Sequence, residues 1–220
     1  MAVRFVRGLQ YAFWRKNFSS HTFKEFGMKT VRAPIAAVVL GMLPLAAFAN
    51  PSPEAEKATM LRAQEAIKDY AVTLKTALQT AMKAGGPMAA IPVCHTEAPK
   101  IAKDVGEKYG LEIHRTSLKP RAMAPTAWEK TVLEQFAAEK AAGKPIGDMV
   151  WHQVVEVQGQ PTLRVMKAIP TDEVCLTCHG TQVAPAVLEK IRSLYPKDEA
   201  IGYEKGDIRG AFSVSAAIRP

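Results

Sequence analysis

The sequence predicts an α+β domain in which helices flank an antiparallel sheet. Apolar residues recur at helical spacing from Glu54 to Lys83. Later stretches are rich in β-branched residues, and two of them are separated by little more than Gln158-Gly159-Gln160, which is a hairpin signal. Several strands joined by hairpins and by long helical excursions are typical of the α+β class.

The first predicted element is a long amphipathic helix from Glu54 to Lys83. Charged residues separate its apolar positions, which are Met60, Ile67, Ala71, Leu74, Leu78 and Met82. Gly85-Gly86-Pro87 ends this helix, because glycine lowers helix propensity and proline suits the first turn of a new element. A second helix is predicted from Glu97 to Lys108, with a stop at Gly110.

The rest of the chain is predicted to contain strands and two more helices. The strands are Leu111 to Leu118, Met149 to Val157, Thr162 to Ala168 and Gly210 to Ile218. The helices are Thr126 to Lys140 and Ala186 to Leu194. On the first of these two helices, Trp128, Val132, Leu133 and Phe136 share the face that we expect in the core.

The basic excess of the chain lies at its N-terminus. Residues 1–49 contain seven Lys and Arg against one acidic residue, whereas residues 50–220 contain 22 basic and 20 acidic residues. A nearly neutral domain lacks the basic stripe that phosphate binding requires, so we expect no nucleic-acid partner. We expect residues 50–220 to form a single domain around one core.

An apolar run from Ala33 to Ala49 follows the basic residues and ends in a small-x-small pattern that signal peptidase accepts. The alternative is an uncleaved membrane anchor, but the run is shorter than about 18 residues and contains Pro34 and Pro44. We therefore expect residues 1–49 to be a leader that directs the chain to the periplasm. The mature protein would begin at Asn50 and make no membrane contact.

Translation is expected to begin at Met28 rather than at Met1. Residues 1–27 are long, aromatic and interrupted by Glu25, which is unusual for a signal peptide. Met28 is followed by Lys29 and Arg32, an ordinary positively charged start.

Residues 175–179 read Cys-Leu-Thr-Cys-His, the C-x-x-C-H pattern. In this pattern two thiols add to the haem vinyl groups as thioethers, and the adjacent imidazole ligates the iron. Thr171 is expected to cap a helix here, which would set positions 175, 178 and 179 on one face. The motif occurs once, so we predict one covalently attached haem c, bound by Cys175 and Cys178, with His179 on the iron.

Three other interpretations of the motif are a thioredoxin-like redox pair, half of a zinc site and a chance match. A zinc site needs a second pair of ligands at similar spacing, and the sequence has none. A thioredoxin-like pair would open a helix after the strand of a βαβ unit, which is not the pattern here. Export to the compartment where haem c is attached also favours haem.

Cys94 would be the one unpaired cysteine of an exported protein, so it calls for an explanation. It either binds the iron as a thiolate, which stabilises ferric iron, or is a small buried hydrophobe. The neighbouring His95 is the main competitor as sixth ligand. The other His and Met residues are expected at structural or core positions, and they are Met60, Met82, Met88, Met123, Met149, Met166, His114 and His152.

Arg115 is expected to reach a haem propionate, because a guanidinium group pairs well with a carboxylate. Lys119, Arg121 and Arg209 are further candidates for the same contact. The alternative for all four is a solvated surface charge.

Four segments of the chain, in the same order, resemble a family of c-type haem domains. They are Ala90 to Cys94, Arg115 to Lys119, Met166 to Pro170 ahead of the C-x-x-C-H motif, and Gly206 to Gly210. That family was first catalogued as a domain of unknown function, is typified by a cyanobacterial haem protein, and also forms the sensor part of some histidine kinases. The resemblance implies a PAS-like sheet with flanking helices. It also implies that His179 and Cys94 are the two axial ligands.

Two functions are expected from such a site. With two protein ligands the iron has no open position, which argues against an enzyme. In a redox or small-gas sensor, displacement of Cys94 would shift the long helix and act on a signalling partner, and the resemblance favours this function. In an electron-transfer cytochrome, the haem would keep both ligands and exchange electrons with a periplasmic redox partner.

Overall fold

The computed structural model describes residues 51–219. The predicted leader, residues 1–49, and the start proposed at Met28 lie outside the described residues. The helices are α1 Pro53–Pro92, α2 Ala98–Tyr109, α3 Ala127–Ala141, α4 Leu176–His179 and α5 Pro185–Leu194. The strands are β1 Glu112–Thr116, β2 Val150–Val157, β3 Gln160–Pro170 and β4 Ile208–Ala217. A π-helical turn, Val93–Glu97, joins α1 to α2.

The predicted break in the first helix is a kink rather than an end. Ser52 caps α1, since its Oγ accepts a hydrogen bond of 3.2 Å from the N–H of Ala55. At Gly85 and Gly86 the backbone leaves the helical region, and Gly86 has a φ of 63°, which glycine adopts without strain. Pro87 follows in the next helical turn, and α1 then continues to Pro92.

The sheet has the order β1-β4-β3-β2, and every neighbouring pair is antiparallel. The predicted hairpin is confirmed, because Val157 pairs with Gln160 across a two-residue turn. Gln158 and Gly159 have φ values of 52° and 76°, the positive pair that the tightest hairpin turns require. Asparagine or glycine is usual at the first of these positions, so Gln158 is an uncommon choice.

Helices cover both faces of the sheet. On one face, α1 and α2 pack against β3 and β4 through a core that includes Ile67, Tyr70, Leu74, Val105, Leu163, Val165 and Val214. On the other face, α3 packs through a core that includes Val132, Leu133, Phe136, Met149, Met166 and Ala168. The face of α3 predicted to be buried is therefore confirmed. A third apolar cluster joins α5 to the end of α1 through Ile91, Val187, Ile191 and Tyr195.

Candidate functional site

The C-x-x-C-H motif lies on a short helical segment after β3. Residues Glu173–Cys175 form a 3-10 turn that runs into α4, Leu176–His179. The segment begins at Asp172, so the prediction that Thr171 caps it is wrong. The backbone of Thr171 is instead paired with residues 206 and 207, just before β4, and its buried hydroxyl has no hydrogen-bond partner among the described residues. The helical segment therefore begins one residue later than the capping pattern suggests.

His179 ends α4 with one ring nitrogen already engaged. Its Nδ1 lies 2.7 Å from the carbonyl oxygen of Ala200, and because a carbonyl can only accept, Nδ1 must donate. This bond leaves Nε2 without the proton and available to a ligand, as in most metal-binding histidines. Burial lowers the pKa of His179 well below its usual value, and the charges of Arg209, Arg121 and Arg115 lower it further. The imidazole is therefore neutral, the form that binds a metal.

The loop 198–203 holds the end of the motif. Tyr203 donates its N–H to the carbonyl of His179 at 2.9 Å, and Gly202 donates to the carbonyl of Gly180 at 3.0 Å. Gly180 and Tyr203 form an isolated parallel bridge. Since the same loop supplies the acceptor for the His179 ring, both backbone and side chain of this residue are positioned from one segment.

One cleft brings several predicted site residues together, and we call it the ligand cleft. Its wall includes Cys94, His179 and Arg115, together with Arg121 and Arg209. Its apolar surface comes from α2 and from residues after β1, including Ala98, Ala102, Pro120 and Met123, while Tyr70 and Tyr195 add aromatic rings. The cleft is thus an apolar slot with a thiol, an imidazole and a group of cations on its wall.

Of the two adjacent residues Cys94 and His95 in the π-helical turn, only Cys94 lines the ligand cleft. Cys94, in this turn, is half-buried and lies on the wall of the cleft. His95 is exposed, and its ring meets the ring of Tyr195 edge-on at 5.2 Å. Extra turns of this kind are frequent at functional sites because they redirect one side chain within a helix.

The two motif cysteines lie beside the ligand cleft rather than on its wall. Cys175 and Cys178 are free and half-buried. Cys178 packs against the apolar cluster of α5. Burial raises the pKa of the Cys178 thiol, the nearby Cys94 and Cys175 raise it further, and Arg121 opposes them. Cys94 and Cys175 therefore both lie in the neighbourhood of Cys178.

The four cations proposed for the propionates have different surroundings. Arg115 is exposed, with its guanidinium carbon 6.0 Å from the ring of Tyr70. Arg209 is half-buried and lies 5.1 Å from the ring of Tyr203. Arg121 is paired with Asp198, and Lys119 points its Nζ at the carbonyls of residues 201 and 202. Arg115 and Arg209 are thus the two whose charged groups neither pair with an anion nor donate to a carbonyl among the described residues.

The other candidate ligands mostly occupy structural positions. His114 is bound to Glu129, and Met149 and Met166 are fully buried in the core beneath α3. Three of the candidates depart from this expectation because they are exposed, namely Met88, Met123 and His152. Met123 and His114 both lie on the wall of the ligand cleft.

A family model described as Tll0287-like matches residues 49–217. The chain belongs to the Tll0287-like family. The family resemblance predicted from four short segments is therefore confirmed. No curated protein matches the chain.

The fold is similar to that of a solved member of this family. The crystal structure of the cyanobacterial haem-protein Tll0287 aligns with a TM-score of 0.53 and 22% identity, over 76% of this chain and 96% of that chain. The α+β, PAS-like architecture with a long N-terminal helix is thereby confirmed. Within residues 51–219, no helix is both long and apolar enough to cross a bilayer.

Several residues of this Tll0287-like site were not identified from the sequence. Asp198, Ala200 and Tyr203 lie in a loop that lacks any hydrophobic period, and Tyr195 looks like an ordinary end of α5. Their roles depend on contacts with residues far away in the chain. The segment Asp-Glu-Ala-Ile-Gly-Tyr at residues 198–203 follows the motif closely and could have drawn attention to this loop. Nothing in its residue spacing, however, indicates which residues it contacts.

Proposed function

We propose that this protein is an exported haem protein with one haem c attached to Cys175 and Cys178 and with iron between His179 and Cys94. The observation that carries the proposal is that His179 and Cys94 line one cleft, with Nδ1 of His179 engaged and Nε2 free. The solved relative is a haem-protein, which supports the cofactor. The periplasm is the proposed location, because covalent haem attachment takes place after export.

The donor set of the ligand cleft fits a haem. Haem would supply an iron centre that exchanges one electron. Around it, His179 would provide a neutral imidazole of fixed orientation, and Cys94 a thiolate that favours ferric iron. Cys175 and Cys178 lie within one turn of His179, as two thioether bonds to the same ring require. Arg115 would pair with a propionate at the exposed side of the cleft.

Sensing is the role that we propose for this centre. Cys94 lies in a π-helical turn that is continuous with α1 on one side and α2 on the other. Release of the sulfur on reduction, or on binding of a small gas, would let this turn tighten and shift α1 relative to the sheet. A two-state element of this kind can act on a signalling partner. Because both axial positions would be filled by protein, we do not propose an enzyme.

Electron transfer is the second candidate. The observation that favours it is that two side chains able to bind iron, Cys94 and His179, line the same cleft, so that both could stay bound during reduction. Carbon monoxide separates the two functions. A ferrous protein that rapidly forms a carbonyl adduct supports sensing, and a ferrous protein that does not react supports electron transfer.

The proposed axial pair is tested by replacing adjacent residues. Cys94→Ser should abolish the thiolate signature in low-temperature electron paramagnetic resonance and leave the haem attached. His95→Ala is the matched control, since His95 is the next residue but is exposed, and its spectrum should equal that of the parent. Identical spectra for Cys94→Ser and the parent would rule out Cys94 as a ligand.

Attachment and export are tested on protein recovered from the periplasm. Intact mass should equal that of residues 50–220 plus one haem, and a pyridine haemochrome assay should give one haem c per chain. Protein whose mass equals that of its amino acids alone would contradict the proposal. Peptides from residues 1–27 in cells would contradict the start at Met28.

A further inference from the structure

Arg121 and Asp198 form a buried ion pair at the wall of the ligand cleft. Arg121 Nε lies 2.8 Å from one carboxylate oxygen of Asp198, and its Nη2 lies 3.2 Å from the other, so the contact is bidentate. The side chains are only 10% and 2% exposed. In every other ion pair within residues 51–219, at least one side chain is more than a third exposed.

The pair contacts the residues that position His179. Arg121 Nη2 donates to the carbonyl of Cys178, the residue before the ligand, at 3.0 Å. Asp198 Oδ1 accepts the N–H of Ala200 at 3.1 Å, and the carbonyl of Ala200 accepts from the His179 ring. The ion pair therefore holds both the backbone before His179 and the loop that accepts the hydrogen bond from its ring. Arg121 is 57 residues from Cys178 and 77 residues from Asp198 in the sequence.

The charge of Arg121 lies close to His179, the proposed iron ligand. Arg121 lines the ligand cleft together with His179, and its Nη2 lies 3.0 Å from the carbonyl oxygen of Cys178. Arg115 and Arg209 line the same cleft, so three guanidinium groups face it and Asp198 neutralises one of them. In a site sheltered from water, an unbalanced charge acts more strongly than at the surface.

We propose that the Arg121–Asp198 pair is a positioning and potential-setting element that holds His179 and balances one positive charge beside the haem iron. The inference rests on the proposed function. The reaction it tunes is the one-electron reduction of ferric to ferrous haem, with the electron supplied by an external donor and no bond formed to the pair. Ferric haem carries one more positive charge than ferrous haem, so charge at the pair changes their relative stability.

Single substitutions should shift the midpoint potential in opposite directions. Asp198→Asn leaves a buried guanidinium uncompensated, which destabilises the ferric form and raises the potential. Arg121→Gln leaves a buried carboxylate, which stabilises the ferric form and lowers the potential. The double variant carries neither charge and should lie between the two single variants, close to the parent. Arg121→Lys keeps the cation but loses the bidentate contact with Asp198, so its potential should shift less than that of Arg121→Gln.

The experiment is a spectroelectrochemical titration of purified holoprotein, with covalent haem per chain and far-ultraviolet circular dichroism measured for each variant. Glu173→Gln is the matched control for Asp198→Asn, because Glu173 also pairs with a cation, Lys205, but both side chains are exposed. It lies two residues from the motif and removes the same charge, yet its potential should not change, since solvent screens the charge.

Shifts of opposite sign that cancel in the double variant support the inference. The inference is overturned if the potentials of the two single variants shift in the same direction, or if they equal the potential of Glu173→Gln. A merely structural role would disturb His179 in the same way whichever member of the pair is replaced. If a single variant fails to load haem, the double variant decides, and a potential far from that of the parent overturns the inference. A parent chain without haem would instead refute the proposed function.

Discussion

His114 on β1 and Glu129 on α3 lie 2.7 Å apart, measured from Nε2 to Oε1. The second carboxylate oxygen of Glu129 accepts the N–H and the hydroxyl of Thr126, each at 2.8 Å. Glu129 is 1% exposed. One buried carboxylate therefore caps the start of α3 and binds it to the edge of the sheet.

Acid should weaken the fold through Glu129. Burial raises its pKa, but the hydrogen bonds from His114 and Thr126 outweigh burial and lower the pKa from 4.5 to about 2. A depressed pKa stabilises the fold above pH 4.5, and this stabilisation is lost as the pH falls to about 2. Glu129→Gln should lower the free energy of unfolding at pH 7 by on the order of 3 kcal/mol.

Chemical denaturation at pH 7 and near pH 2 checks this prediction. The difference between the parent and Glu129→Gln should shrink toward zero at the acid end. Glu134→Gln, on the same helix but exposed, is the control and should behave like the parent at both values. A gap that stays the same at low pH would mean that Glu129 acts through packing rather than through its charge.

Removal of the Phe136 ring should destabilise the domain without changing the ligand cleft. Phe136 is fully buried between α3 and the sheet, and none of its cluster partners lines the cleft. Phe136→Ala should lower the free energy of unfolding by about 3 to 5 kcal/mol, because the cavity collapses only in part. Leu61→Ala, at a position 52% exposed, should have little effect. An altered haem spectrum in the Phe136 variant would count against this separation.

A side chain at Gly180 should impair haem attachment. A Cβ there would lie 2.6 Å from the carbonyl oxygen of Leu176, so the turn that holds the motif would have to open. Gly180→Ala should therefore reduce the fraction of chains with covalent haem in a pyridine haemochrome assay. Gly147→Ala is the control, because nothing lies within 4 Å of its Cβ position. Equal haem content in the two variants would refute the prediction.

Arg115 should lower the pKa of a haem propionate. Arg115→Gln would remove the cation that favours the ionised carboxylate, so the pKa of that propionate should rise. The midpoint potential falls with pH as a propionate ionises, and in the variant this fall should move to higher pH. Potentiometric titration across pH measures it, with Arg192→Gln, an exposed residue of α5, as the control. An unchanged pH profile would assign Arg115 to the solvated surface.

Local patterns anticipated most of the fold and part of the site. The interruption of helical geometry at Gly85 and Gly86, the hairpin turn at Gln158 and Gly159, and the buried face of α3 all follow from spacing and turn chemistry within a few residues, although the first helix continues beyond the interruption to Pro92. The motif cysteines and His179 were identified in the same way. The prediction that Thr171 caps the helix was wrong because the backbone of Thr171 pairs with residues 206 and 207. These residues are some 35 positions away, and no local pattern reveals the contact.

By itself, the sequence determined the succession of helices and strands and the presence of a C-x-x-C-H pattern, because both depend on the spacing of residues close together in the chain. Only the tertiary structure decided that Cys94 rather than His95 lines the ligand cleft, since this depends on which side of the turn 93–97 packs toward the rest of the domain. It also decided that Ala200 orients the His179 ring and that Asp198 neutralises Arg121. These contacts join residues that are 21 and 77 positions apart, so they exist only when the sheet and its loops have folded together.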